Sequence, residues 1–301
     1  MAFRTLEISK PSEIHIKTGE MIIQQEECTV EIPLEDLMTI VCIGSGIRLS
    51  TQALGKICDN NISLMVMDKK YRPVGIMTSV EGNSRQMEVM TNQISLPETL
   101  KNRLWIEIVR QKLANQGRVL RLLNRKGEEQ LIDLSEKVLN QRADYCEAAG
   151  AKTYFEILQP GITRREEDPI NSQLNYGYTV VRNALIRNLL SAGFQPGLGI
   201  HHCNQLNAFN LADDLIEPWR PIVDLTAYSN PAQNQKLSKE ERYIMAHVLH
   251  NACLMDKRKV SILSGIECMV ESLKRIMVDK SDEDLKLPTV IPIESFERIK
   301  E

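Results

Sequence analysis

The stretch His201-His202-Cys203-Asn204-Gln205-Leu206-Asn207-Ala208-Phe209-Asn210-Leu211-Ala212-Asp213-Asp214-Leu215-Ile216-Glu217-Pro218-Trp219-Arg220-Pro221 organises the reading of this chain. An imidazole pair follows an apolar run punctuated by glycines, 193–200. The chain then turns helical and ends in an Asp-Asp-x-x-Glu cluster stopped by proline. On a helix, Asp213 and Asp214 lie four and three residues before Glu217, so the three carboxylates are expected on one face. Leu211, Leu215 and Ile216 make the other side apolar, which puts the acids at the rim of a core. Carboxylates that close repel one another unless a cation or a basic group sits among them.

Taken alone, such a cluster is usually an acidic, solvated helix face, and a histidine beside it more often a hydrogen-bonded structural residue than a ligand. Taken together, one imidazole and two carboxylates without a thiol at metal spacing form a hard, oxygen-rich set that suits Mg2+ or Mn2+. A ferrous oxygenase site would want two histidines and one carboxylate. A further acid stands upstream at Glu147, where Ala148, Ala149, Gly150 and Ala151 leave room around it.

Working outward, 301 residues with 43% apolar content can bury a real core in one or two domains. The net charge is -3, so affinity for nucleic acid must come from local patches. No run of apolar residues is long enough to span a membrane, and the opening Met1-Ala2-Phe3-Arg4-Thr5 lacks a signal-peptide core. Seven cysteines without a Cys-x-x-Cys pair suit a reducing compartment, and the expectation is a soluble cytoplasmic protein.

Residues 1–88 read as β-rich. Short alternating segments at 13–17, 21–23, 29–32 and 62–67 are separated by Gly, Asn and Pro turns. One helix interrupts them over 50–60, with Ser50 as N-cap. Gly44-Ser45-Gly46 is an incomplete dinucleotide fingerprint, because position 49 is Leu. The polar stretch 81–97 looks like the hinge between domains, with the linker expected over 89–98, and from Leu100 the pattern is helical. The fold class is therefore α+β: a small β-rich N-terminal domain, then a larger all-α domain over 99–301.

Between 101 and 126 lie eight Lys/Arg (101, 103, 110, 112, 118, 121, 125, 126) against one acid, Glu107. Such a helix is either a solvated face or a surface for a phosphate backbone, where neutralised phosphates release counterions. Lys152 falls nearly on the face of Glu147 and could balance its charge or meet a phosphate. Asp168-Pro169 should start another helix, with proline in its first turn. Along it, Tyr176 or Tyr178 could stack on a base or pack in the core, and Arg182 and Arg187 are candidates for DNA contact. His247-x-x-His250-x-x-Cys253 would share a helix face, a weak zinc signal without a fourth ligand.

Three motifs together resemble a known family: Glu147-Ala148-Ala149-Gly150-Ala151-Lys152-Thr153-Tyr154-Phe155, then Asp168-Pro169-Ile170-Asn171 through Leu174-Asn175-Tyr176-Gly177-Tyr178, and the long stretch 201–221. They look like the large subunit of the CRISPR spacer-acquisition integrase, in the form found beside single-protein, RNA-guided effectors. Lys112-Leu113-Ala114-Asn115-Gln116 resembles a further run of that family, and Arg48-Leu49-Ser50 with Asn60-Asn61-Ile62-Ser63-Leu64 fits its β-domain. The resemblance implies a divalent metal, Mg2+ or Mn2+, held by the catalytic residues Glu147, His202 and Glu217. Asp214, or Asp213 in its place, would be a fourth acid, and Arg220 a basic residue close to the metal and a further candidate for DNA contact.

The implied reaction is metal-dependent transesterification. It joins the 3′-hydroxyl ends of short protospacer duplexes to the repeat of a CRISPR array. The implied partners are double-stranded DNA, a second copy paired through residues 1–88, and a small ferredoxin-like partner dimer clamped in a heterohexamer. The RNA-guided effector nuclease is a further one, and no membrane is involved. The competing readings are a non-catalytic nucleic-acid-binding subunit with structural acids, and a metallohydrolase of small phosphoesters.

Overall fold

The computed structural model describes residues 4–68, 73–79, 85–139, 142–164 and 166–294. The chain forms two compact units, Met1–Ser84 and Arg85–Glu301.

The first unit is built from β1 (Arg4–Ile8), β2 (Ser12–Lys17), β3 (Glu20–Gln24), β4 (Thr29–Pro33), β5 (Leu37–Ile43), β6 (Ile47–Leu49), α1 (Thr51–Asp59), β7 (Ser63–Met67) and β8 (Pro73–Met77). Two four-stranded sheets result, in the orders β1-β5-β7-β8 and β4-β3-β2-β6. In β2 and β3 alternate residues turn inward, Ile14 facing the core from one and Met21 and Ile23 from the other. β5 is central and parallel to both neighbours, so its Leu-Met-Thr-Ile-Val-Cys-Ile run is apolar almost throughout rather than alternating. Its crossover to β7 runs through α1, whose Ser50 cap accepts from the Ala53 amide at 3.1 Å. Ile8, Ile14, Met21, Leu37, Ile40, Ile57 and Ile62 close one core between sheets and helix. Gly44 and Gly46, at φ 114° and 85°, make the tight turn from β5 into β6. That use of the two glycines leaves no strand-to-helix phosphate loop.

The second unit contains α2 (Gln86–Ile94), α3 (Glu98–Leu122), α4 (Glu128–Lys137), α5 (Ala143–Leu158), α6 (Pro169–Ser191), α7 (Asn210–Leu215), α8 (Arg220–Ser229), α9 (Lys239–Ala246), β9 (Ala252–Met255), β10 (Arg258–Ser261) and α10 (Ile262–Met277). Most of the expected linker is thus itself helical, as part of α2. The helical expectation holds except at β9 and β10, an antiparallel hairpin whose two turn residues, Asp256 and Lys257, both take positive φ. His247–His250 form a short 3-10 turn while Cys253 lies buried on β9. The three share no helix face, and the zinc reading falls. Asp168 caps α6 as expected, accepting from the Ile170 amide at 2.9 Å.

α3 runs through this unit for 25 residues. Leu104, Ile108, Leu113 and Leu120 are fully buried on it, but so are the polar Lys112, Asn115 and Gln116. Asn115 donates to the carbonyls of Pro218 (2.9 Å) and Pro288 (2.8 Å), pinning the turn after α7 and a C-terminal segment to the helix. The basic stripe expected along 101–126 is therefore broken up. Lys112 points inward, Lys101 pairs with Glu98, Arg103 with Glu107 and Arg121 with Glu128. Among the described residues no helix is long and apolar enough to cross a membrane.

Candidate active site

Glu147 and Glu217 come from opposite sides onto one ammonium. Gly150 lets α5 close on α3, since a Cβ there would stand 2.1 Å from Leu113 Cδ2. That approach brings Glu147 Oε1 to 2.5 Å from Lys112 Nζ. Glu217 arrives differently. α7 ends at Leu215, and the chain tightens into a 3-10 turn over Glu217–Trp219, held on α3 by Asn115. Glu217 Oε2 then lies against Lys112 Nζ as an ion pair. That oxygen is buried and lacks a hydrogen bond of normal geometry.

Burial alone would raise the Glu217 pKa, but Arg220 and Lys112 outweigh it and bring it to about 2. Arg220 Nε donates to Glu217 Oε1 at 2.8 Å, and its guanidinium lies 4.7 Å over the Tyr178 ring. Burial likewise disfavours the Lys112 ammonium, yet Glu217 and Glu147 together hold its pKa above the ordinary lysine value. The pair is charge-matched by residues of the chain itself.

The imidazole pair divides its labour. His201 stacks on Trp105, 4.2 Å between centroids and 4° between planes, with its Nε2 3.3 Å from Asp144. His202 Nδ1 instead meets Asp214 Oδ1 at 2.5 Å. Asp214 is fully buried and also accepts from the amides of Ile200 (2.6 Å), His201 (2.9 Å) and His202 (3.2 Å). Gly199 makes room for this: a Cβ there would lie 2.2 Å from the His202 carbonyl oxygen. With Nδ1 engaged, Nε2 of His202 makes no hydrogen bond to the described residues. The hydrogen bond to Asp214 raises the His202 pKa against partial burial, with Asp214, Glu217 and Asp213 adding their charge.

The three acids of the 213–217 cluster therefore do not share one cation. Asp213 receives both arms of Arg182, at 2.6 and 2.8 Å. Asp214 holds the 200–202 loop, and Glu217 meets Lys112 and Arg220. Among the described residues, no three His, Cys, Asp or Glu side chains converge closely enough to hold an ion as they stand. Beneath the site, buried Asp224 accepts from the hydroxyls of Tyr154 (2.9 Å) and Tyr178, and burial pushes its pKa up to about 6.

Comparison with known proteins places this arrangement. The family described as CRISPR associated protein Cas1 matches residues 6–263. A CRISPR-associated endonuclease Cas1 from Neisseria meningitidis serogroup C (strain 8013) is 31% identical over 99% of both chains. The chain belongs to the Cas1 family. In fold it is similar to a casposase bound to integration product, with TM-score 0.77 at 18% identity, covering 100% of this chain and 96% of that one. It is also similar to a chain of a Cas6-RT-Cas1–Cas2 complex, with TM-score 0.73 at 19% identity, covering 94% of this chain and 36% of that one. As a Cas1 protein it is an endonuclease and integrase of CRISPR spacer acquisition.

Against this Cas1 frame, the candidate DNA contacts separate. Lys152 is exposed and 3.9 Å from Glu156, and Lys112 rather than Lys152 balances Glu147. Arg182 is committed to Asp213 and packs 5.0 Å over Phe209, so it is not free to meet a phosphate as placed. Arg187 is 8% exposed, its pKa lowered by burial to about 10 and its guanidinium 4.0 Å from Glu267. It lies inside the unit. Tyr176 and Tyr178 are buried, so both pack in the core rather than stack on a base.

Sequence reasoning missed the placement of Lys112. Its one signal was the spacing of Lys112, Asn115 and Gln116 on a single face of a helix otherwise packed by leucines.

Proposed function

We propose that this Cas1 protein joins the 3′-hydroxyl ends of short duplexes to a CRISPR repeat at a centre made of Glu147, His202 and Glu217. The observation that supports the reading best is the convergence of Glu147 and Glu217 on one cation, Lys112 Nζ. The donor set fits a hard divalent ion. Glu217 holds a buried oxygen against the Lys112 ammonium, a place a hard cation can take. His202 has its Nδ1 fixed by a carboxylate, as metal-bound imidazoles commonly do, with Nε2 left as the donor. Glu147, Glu217 and Nε2 of His202 would hold Mg2+ or Mn2+. When bound there, the ion supplies Lewis-acid polarisation of a phosphodiester and neutralisation of charge on its oxygens.

The side chains of the chain prepare that centre. Arg220 keeps Glu217 ionised and fixes its rotamer. Asp214 sets the tautomer of His202 and ties it to the backbone of its own loop. In the reaction one P–O bond forms from the incoming 3′-oxygen as another breaks. The proton of the attacking hydroxyl leaves to solvent, and the released 3′-oxygen of the repeat gains one. No covalent bond to the protein is needed.

The partners follow the same reading. The DNA is the protospacer duplex and the CRISPR repeat. The complex of a related chain with Cas2 supports a Cas2-like partner here, with a homodimer paired through the β-rich unit and a heterohexamer as the assembly.

The test mixes the protein with a short duplex bearing free 3′ ends, a supercoiled repeat-bearing plasmid and Mn2+. Relaxed plasmid carrying the duplex is expected, with loss of the product for dideoxy ends and for Glu147→Gln and Glu217→Gln. Product formation by both variants at the wild-type rate would place the joining chemistry away from these two acids, and DNA binding without any product from the wild type would leave only a binding module with structural acids.

A further inference from the structure

We infer that Lys112 is an internal competitor for the metal, and that this competition couples divalent-cation binding to DNA binding. The inference rests on the centre proposed above, and it assigns Lys112 a positioning role. Its side chain is 6% exposed, and its partners among the described residues are Glu147 and Glu217. It therefore stands on the two carboxylates that would grip the ion.

The charge balance gives the consequence. Glu147, Glu217 and the Asp214 carboxylate behind a neutral His202 contribute three negative charges, and Lys112 and Arg220 two positive ones, while Arg182 and Asp213 cancel each other. A divalent ion entering this place meets an ammonium already bonded to its ligands, and turns a site one charge negative into one with a surplus positive charge. In a partly buried site, where screening is weak, that surplus opposes binding. A phosphodiester brings the missing negative charge. It also offers the displaced ammonium a new partner, since Lys is a natural phosphate binder.

Metal without DNA is therefore held weakly, and metal with DNA strongly. By linkage, the ion strengthens DNA binding by the same factor that DNA strengthens ion binding. The arrangement suits a nuclease centre: the cation is gathered only when a phosphate is present. In its absence Lys112 keeps the buried Glu217 and the half-buried Glu147 from repelling each other.

The experiment measures Mn2+ binding to the full chain by the EPR signal of free Mn2+, with and without a short duplex, for wild type, Lys112→Gln, Lys112→Arg and Glu217→Gln. Thermal melting of each variant confirms the fold. Duplex should tighten Mn2+ on the wild type by about tenfold or more, a typical coupling between sites. Lys112→Gln should tighten Mn2+ about tenfold in the absence of DNA and lose most of the gain on adding it. Lys112→Arg, which keeps the charge, should stay weak.

A folded Lys112→Gln that binds Mn2+ no tighter than wild type overturns the inference. So does a wild type whose Mn2+ affinity ignores DNA, and this second measurement stands even where Lys112→Gln does not fold. Glu217→Gln separates the two levels. If it binds Mn2+ as the wild type does, the centre itself is wrong; if binding is lost while Lys112→Gln has no effect, only the role of Lys112 is.

Discussion

Asp214 is the buried anchor of His202. Its Oδ1 meets the ring Nδ1 at 2.5 Å, and the carboxylate takes three amides of the same loop. Four donors on one fully buried carboxylate leave no lone pair idle. Asp214→Asn replaces one acceptor oxygen with an NH2 group facing N–H donors. It should cost about 2–4 kcal/mol of unfolding free energy, the range for breaking a buried charged network. Urea unfolding measures the loss. DNA joining should fall further than the unfolded fraction explains, because the ring loses its orientation. A stable variant with unchanged joining would remove Asp214 from the site.

Gly199 is the second element of that anchor. An alanine Cβ there would meet the His202 carbonyl oxygen at 2.2 Å and Asp214 Oδ2 at 2.9 Å. The first is backbone, which cannot swing aside. Gly199→Ala should therefore lower stability by about 1–3 kcal/mol, the usual cost of overpacking, and weaken Mn2+-dependent joining along with it. Gly197→Ala is the control, because its Cβ would stand 3.3 Å from the Ala208 oxygen and ask for a smaller adjustment. Equal melting temperatures for the two variants would contradict the close-approach argument.

The pH dependence has opposite signs for folding and for activity. His202 has its pKa raised above 6.5 chiefly by the Asp214 hydrogen bond. The charged ring thus adds stability that is present below pH 6.5 and lost as pH rises through the higher folded value. Only the neutral ring can ligate, so at limiting Mn2+ the joining rate should fall on acidification with a midpoint above pH 6.5. Metal and proton compete for Nε2. More Mn2+ should draw that midpoint down, by up to about one pH unit per decade of concentration. A midpoint independent of Mn2+ would argue that His202 is not a ligand.

Much of the β-rich unit was legible because burial writes itself into strands as alternation, and Ser50 announced α1 by its capping chemistry. The β9–β10 hairpin left no such mark: its strands are four residues each, and its turn is Asp256-Lys257 rather than a glycine pair. At the site, Glu147, His202 and Glu217 were legible as residue types, but the grouping of Asp213, Asp214 and Glu217 was not. It assumed a helix continuing to Glu217, whereas α7 stops at Leu215 and a 3-10 turn swings Glu217 toward Lys112. Lys112 itself was set apart from the lysines and arginines around it only by its spacing to Asn115 and Gln116. Which side of α3 turns inward depends on α5 and on the turn after α7, and neither is local in sequence.

The surviving positive charges on and after α3 make the last prediction. Arg110, Arg125 and Lys126 are exposed, and no carboxylate among the described residues pairs with them. Arg121, expected in the same role, is held by Glu128 at 3.0 Å. Each free cation that meets a phosphate releases about 0.9 counterion on duplex DNA. Changing Arg110, Arg125 and Lys126 together to Gln should weaken duplex binding and reduce the slope of log K against log salt by about 2–3. Arg121→Gln alone should move the slope little, because its charge is already compensated. Titrations at several salt concentrations with one labelled duplex read both effects. A triple variant with the wild-type slope would place the DNA on another face of the helical unit.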